Sequence, residues 1–201
     1  YLAAEYGTPL YVMDEEMVRK NCRRFNDSMK KFYGEKGEVH YAGKAFSCME
    51  MCRIVASEGI GLDAVSIGEL YTALKAGFPM EKIGFHGNNK TDAELEFAVE
   101  NGVGHIIVDN ISELQRLEAI AADKGRKPAV MFRIKPGIDA PTHDFVKTGQ
   151  IDSKFGFALE TGEAFEAVKE ALNCENLTLA GLHCHIGSQI FDIAPFEEAA
   201  K

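Results

Sequence analysis

The stretch Glu38-Val39-His40-Tyr41-Ala42-Gly43-Lys44-Ala45 reads as a short β-strand running into a turn, with Lys44 where the strand ends. The residues around Lys44 are small, aromatic or apolar: Tyr41, Ala42, Gly43, Ala45 and Phe46. Such a setting is expected to desolvate the lysine in part, which disfavours the ammonium and lowers its pKa. A neutral amine at a strand end is what imine chemistry with a carbonyl cofactor requires. Taken alone, the same lysine reads first as a surface residue in a strand-to-helix loop. The flanking chain has to decide.

Working outward, strand-like runs fall at 38–42, 60–63, 82–86, 105–108, 129–134 and 178–185. Helix-like runs lie between them, at about 47–58, 66–76, 91–101, 112–123 and 160–172. Ser47, Ser66, Thr91, Ser112 and Thr161 are candidate N-caps, and Gly59, Gly77, Gly102 and Gly125 stand near C-cap positions. Upstream, Thr8 to Met13 reads as a strand, and Asp14 caps a helix running to about Phe32. Strand–helix alternation at this pitch implies a parallel sheet with crossover helices, either doubly wound or closed as a (β/α)₈ barrel. No Gly-x-Gly-x-x-Gly follows the first strand, which weakens the dinucleotide-binding form. The expected fold is therefore an α/β TIM-type (β/α)₈ barrel, truncated to about six βα units.

Composition narrows the partners. The 201 residues carry 22 basic and 31 acidic side chains, a net charge of −9, which argues against nucleic acid or an anionic membrane surface. Apolar residues make up 46% of the chain, enough for a core, and no apolar run reaches the length of a membrane span. No signal peptide opens the chain. Five scattered cysteines (Cys22, Cys48, Cys52, Cys174, Cys184) fit free thiols in a reducing cytoplasm, with Cys48 and Cys52 one helical turn apart as core residues. The chain starts at Tyr1 and stops at Lys201 inside a helix-like run, from which a fragment of a longer protein is expected.

In a parallel barrel the chemistry sits at the C-terminal strand ends. Those ends hold Lys44, Asp63, His86 with Asn88, Asp109, Arg133, and His183 with His185. The densest polar cluster is Gly181-Leu182-His183-Cys184-His185-Ile186-Gly187-Ser188-Gln189. His183 and His185 share one strand face, so they suit either a zinc pair or a flat imidazole stacked on an aromatic cofactor. The Gly187-Ser188 turn offers N–H groups and a hydroxyl to a phosphate. The metal reading needs further ligands, and nothing in the spacing of Asp63, Asp109 or His86 selects them. Arg133, in an apolar strand, needs an anionic partner, which is either a ligand oxygen or a structural bridge to Asp109 or Asp63. The segment from Gly137 to Gly156 is long and aperiodic, and its Phe145, Val146, Ile151 and Phe155 suggest packing over the site or against a partner. Gly84 to Lys90 has the composition of a phosphate cradle without its glycine spacing, so substrate-side or structural hydrogen bonds are expected there.

These residues together resemble the fold-type III decarboxylases that use pyridoxal 5′-phosphate, whose barrel is alanine racemase-like. The resemblance runs along essentially the whole chain. It includes Gly7-Thr8-Pro9-Leu10-Tyr11-Val12, Tyr41-Ala42-Gly43-Lys44-Ala45, Gly61-Leu62-Asp63-Ala64-Val65-Ser66 with Gly68-Glu69-Leu70, His143, Thr148-Gly149, Asp152-Ser153-Lys154-Phe155-Gly156 and His183 to Gln189. It implies that Lys44 carries the cofactor covalently, that His185 stacks on its ring and that Ser188 meets its phosphate. It places Arg133 near the phenolic oxygen side and Asp63 near the lysine, Lys154 at a homodimer interface, and leaves His183 without a fixed role. It implies no metal. His143 with Thr148 to Asp152 favours the branch that converts meso-diaminopimelate to L-lysine, the last step of lysine biosynthesis; ornithine, arginine and carboxynorspermidine decarboxylases are the related alternatives, and a non-catalytic cofactor-binding homologue is another. The family's glycine-rich phosphate loop, the glutamate at the ring nitrogen and the C-terminal β-domain have no counterpart in residues 1–201, so this chain is expected to be the incomplete barrel domain alone.

Overall fold

The computed structural model describes residues 1–137 and 154–201. The elements run α1 (Leu2–Tyr6), α2 (Glu15–Tyr33), β1 (His40–Ala42), α3 (Met49–Ser57), β2 (Gly61–Ala64), α4 (Ile67–Ala76), β3 (Ile83–Phe85), α5 (Asp92–Glu100), β4 (His105–Val108), α6 (Ile111–Lys124), β5 (Ala129–Lys135), β6 (Phe157–Ala158), α7 (Glu163–Leu172), β7 (Thr178–Cys184) and α8 (Ala194–Ala200). All strand pairs are parallel, in the order β1-β2-β3-β4-β5, with β7 beside β5. The two-residue β6 pairs Ile134 and Lys135, past the Val130–Phe132 segment that pairs β4. Six wall strands with crossover helices are thus present among the described residues, matching the barrel-type expectation and its six units. Among the described residues β1, β6 and β7 each have one strand neighbour.

Several helices begin where a side chain accepts an orphan N–H. Asp14 caps α2 through Met17, Ser66 caps α4 through Glu69, and Thr91 forms a reciprocal capping box with Glu94 at α5. Three expected caps moved. Cys48 rather than Ser47 receives the bond from Met51, Asn110 rather than Ser112 receives that from Glu113, and Gly162 in the left-handed region stands before α7 in place of Thr161. Gly77 and Gly125 end α4 and α6 in the left-handed conformation. The expected strand over 8–13 is absent. Leu10 to Met13 are all apolar or aromatic but lie exposed and pair with no strand among the described residues, and a strand needs a ladder partner more than it needs propensity.

The core lies between sheet and helices. Phe85, Phe132, Leu70, Leu95, Leu114 and Leu117 are fully buried, and Phe132 meets Phe157 edge-on at 5.1 Å between ring centroids. A buried Lys90 ties three elements together: its Nζ donates to Gly87 O at 2.7 Å, to Ile107 O at 2.6 Å and to Glu113 Oε1 at 2.7 Å. This fixes the loop after β3 to the end of β4 and the start of α6, so the Gly84–Lys90 stretch is structural at its lysine. On the outside, Arg19 and Arg23 of α2 both bind Glu58 after α3, holding α2 against the barrel helices. Phe132→Ala should lower the unfolding free energy by about 3–5 kcal/mol, against about 1 kcal/mol for Thr91→Ala, read from urea midpoints. Equal losses would contradict this account of where the core sits.

Candidate active site

Parallel pairing brings the strand ends to one rim, and there they enclose a cavity of about 440 Å³. Its lining includes Lys44 after β1, Asp63 on β2, His86 after β3, Arg133 on β5, and His183, His185 and Ser188 on and after β7. Lys44, Asp63, Arg133, His185 and Ser188, separated by up to 144 positions in sequence, therefore share one space. Lys44 Nζ donates to Ser188 Oγ at 3.3 Å. The turn that presents Ser188 uses Gly187 at φ 145°, a conformation that side chains rarely adopt, and Gln189 at φ 56°. His143 and the segment Thr148 to Ser153 lie outside the described residues.

One expectation fails. Lys44 is exposed, so the small residues around it do not desolvate it. Ala42, Ala45 and Phe46 beside the lysine are themselves exposed, and β1 has one strand neighbour among the described residues.

Asp63 is the electrostatic centre. Its Oδ1 lies 3.0 Å from His40 Nδ1 and 3.3 Å from His86 Nε2. Burial pushes the carboxyl up, but the bonds from the two imidazoles outweigh it and hold it well below the usual carboxylate range. His40 is raised, first by its bond to Asp63. Across the cavity the other two imidazoles go the opposite way. Burial, with help from His86 and Arg133, lowers His183 to about 4, and burial with Arg133 and Lys44 lowers His185 to about 4. Both are neutral at pH 7. His86 and His183 meet edge-on at 4.8 Å.

Arg133 keeps its charge while buried. Its Nε stands 4.0 Å from Asp109 Oδ1, and its guanidinium lies over the Phe155 ring at 4.2 Å. Of its two expected carboxylate partners the structure selects Asp109, whose other oxygen Oδ2 accepts from the Gly156 N–H. Sequence reasoning missed His40 as a site residue and did not connect Phe155 with Arg133. A histidine two residues before a strand end was the only local sign of His40. Among the described residues no group of three or more His, Cys, Asp or Glu is arranged to hold a metal ion.

The donor set suits a planar aromatic aldehyde bearing a phosphate. A primary amine is available to the carbonyl, a neutral imidazole to the ring, and a hydroxyl on a glycine turn to the anion, with the Arg133 guanidinium in the same lining. The pH dependence follows from the neutral imidazoles. Because His183 and His185 sit near 4 when folded, against 6.5 for a free histidine, the unfolded chain binds more protons between those values, and stability falls as pH drops through that window. Each contributes up to about 2 kcal/mol between pH 7 and pH 5, less what solvent screens at this open rim. His40, raised, works the other way and stabilises on the acid side. The urea midpoint should fall on acidification, and His183→Gln should flatten that fall; an unchanged slope in the variant would mean that His183 is not buried neutral.

Comparison with known proteins agrees with this fold. The sequence profile of the pyridoxal-binding domain of pyridoxal-dependent decarboxylases matches residues 15–201. The chain is 51% identical over its whole length to a diaminopimelate decarboxylase of Bacillus methanolicus and 49% identical to that of Bacillus subtilis, in each case spanning 46% of the relative. It superposes on diaminopimelate decarboxylase of M. jannaschii with a TM-score of 0.90 at 41% identity, covering 98% of this chain and 46% of that one. The Helicobacter pylori enzyme complexed with L-lysine gives 0.90 at 36% identity, covering 99% of this chain and 49% of that one. The chain spans about half the length of the curated relatives it matches. With a parallel βα sheet, a lysine, a serine and an imidazole at one rim, and a family profile across nearly all of its length, this chain belongs to the pyridoxal-binding domain family of the pyridoxal-dependent decarboxylases.

Proposed function

We propose that this chain is the barrel domain of a decarboxylase that uses pyridoxal 5′-phosphate to convert meso-diaminopimelate to L-lysine, completed by a C-terminal β-domain and working as a homodimer in the cytoplasm. The observation that carries the reading is the contact between Lys44 Nζ and Ser188 Oγ at 3.3 Å, in a cavity also lined by Asp63, Arg133 and His185. The substrate is supported by the names of the relatives and by the L-lysine bound to three of the similar structures. That no described helix is long and apolar enough to cross a membrane, and the net charge of −9, are compatible with the location and with a small-molecule substrate. Lys154, whose ammonium lies 5.1 Å from the centre of the Phe155 ring, is the residue of this chain proposed for the dimer interface.

When bound, pyridoxal phosphate supplies an aldehyde that captures an amine and a conjugated ring that takes up the electron pair left by departing CO₂. The chain's own residues do the holding. Lys44 offers the amine that anchors the cofactor and that a substrate amine would displace. His185, neutral, offers a flat face to the ring without adding charge. Ser188 and the Gly187 turn are assigned to the phosphate, and Arg133, held by Asp109 and Phe155, supplies a fixed positive charge at the rim. Asp63 stays ionised at physiological pH and balances the cations.

Incubating the full-length protein with pyridoxal phosphate, reducing with borohydride and mapping the modified peptide should place the label on Lys44. Lys44→Ala should lose the label and the cofactor colour while keeping its unfolding free energy, read from urea unfolding, within about 1 kcal/mol of the parent, as an exposed substitution does. A label elsewhere, or none in folded protein, would overturn the reading. CO₂ release from meso-diaminopimelate measured beside ornithine, arginine and carboxynorspermidine then decides the substrate.

A further inference from the structure

Below the cavity rim a row of side chains crosses three strands, and two glycines make room for it. His40 pairs in register with Gly61, and Asp63 with Gly84. A Cβ at position 61 would come within 2.6 Å of the His40 ring. A Cβ at position 84 would stand 3.0 Å from Asp63 Oδ1 and 3.2 Å from His86 Nε2. The row His40–Asp63–His86 therefore occupies the space that two side chains would otherwise fill.

Both imidazoles reach the same carboxylate oxygen, Oδ1, at 3.0 and 3.3 Å. One oxygen accepting twice requires Nδ1–H on His40 and Nε2–H on His86, so the carboxylate sets both protonation sites. Asp63 Oδ2 has no hydrogen bond or ion pair among the described residues, and Asp63 lines the cavity whereas His40 does not. The groups facing His40 are Glu38 of its own strand region, 3.8 Å from Nε2, Asp63 on β2, and, through Asp63, His86 beyond β3. Facing Asp63 from the rest of the lining are Lys44, Arg133 and the neutral His183 and His185.

We propose that His40 is a positioning residue of this site: with His86 it clamps Asp63 through Oδ1, so that the second oxygen of a fixed carboxylate is left for a protonated nitrogen of the molecule bound in the cavity. His40 acts only through Asp63. The identity of the bound molecule rests on the reading above, whereas the clamp itself does not.

The test uses full-length protein and two readouts. In the cofactor-free form, the His40 imidazole followed by NMR should titrate above 6.5 and fall back in Asp63→Ala. In pyridoxal phosphate titrations, His40→Phe should weaken binding about tenfold, the loss of one charge-assisted hydrogen bond, and move the acid limb of the affinity up by about one pH unit. His40→Asn, whose amide N–H can stand where Nδ1–H stood, should stay within about threefold of the parent on the same scale. On the Asp63→Ala background, adding His40→Phe should change nothing. If His40→Phe does not fold, His40→Gln, with its donor one bond too far out, should show the same loss. Equal losses on both backgrounds, or an asparagine variant as weak as the phenylalanine one, would overturn the proposal. Failure of pyridoxal phosphate to bind the parent would instead sink the decarboxylase reading, and the NMR titration would still decide the clamp.

Discussion

Parallel pairing is the constraint from which the site follows. When every strand points the same way, every strand ends at the same rim, and residues 144 positions apart such as Lys44 and Ser188 come within hydrogen-bonding distance without any local signal linking them. The crossover helices that parallel strands demand cover the outer face and leave the rim to loops. Small residues then decide what the rim can hold. Gly61 and Gly84 open the space in which His40, Asp63 and His86 meet.

The electrostatics of the rim are graded. One side carries an ionised carboxylate clamped by two imidazoles, and the other carries two imidazoles that burial and neighbouring cations keep neutral. In the same lining Arg133 keeps its charge because Asp109 and the face of Phe155 take the place of water. Beneath the loop after β3, the buried Lys90–Glu113 pair has all three ammonium protons used, while Glu113 Oε2 has no hydrogen bond among the described residues. Burial pushes Lys90 down and Glu113 up, so the pair gains little as a charge pair in isolation. Its contribution is geometric, since it fixes Gly87 where it lines the cavity.

The alternation of elements was legible because helix and strand periods are local. Each expected wall strand and crossover helix formed within one to three residues of its sequence-read bounds, and caps such as Ser66 and Thr91 needed only neighbours three positions away. The misreadings share one cause. Residues 8–13 have strand composition but no described strand to pair with, the two-residue β6 exists only because the end of β5 runs past β4, and Lys44 is exposed beside a strand with one described neighbour. Each of these depends on what stands beside the residue in space.

The same division holds for the chemistry. The sequence by itself determined which residue types reach the rim, because strand ends are set by local pattern: a lysine, an aspartate, an arginine, two histidines and a Gly-Ser turn. It also determined the family, because those residues recur in one order along the chain. Only the tertiary structure decided how they are paired and charged. Asp63 takes His40 and His86 as partners, Arg133 takes Asp109, and His183 and His185 are neutral. Protonation state depends on burial and on charges a few ångströms away, and cross-strand register brings those together from segments that share no local pattern.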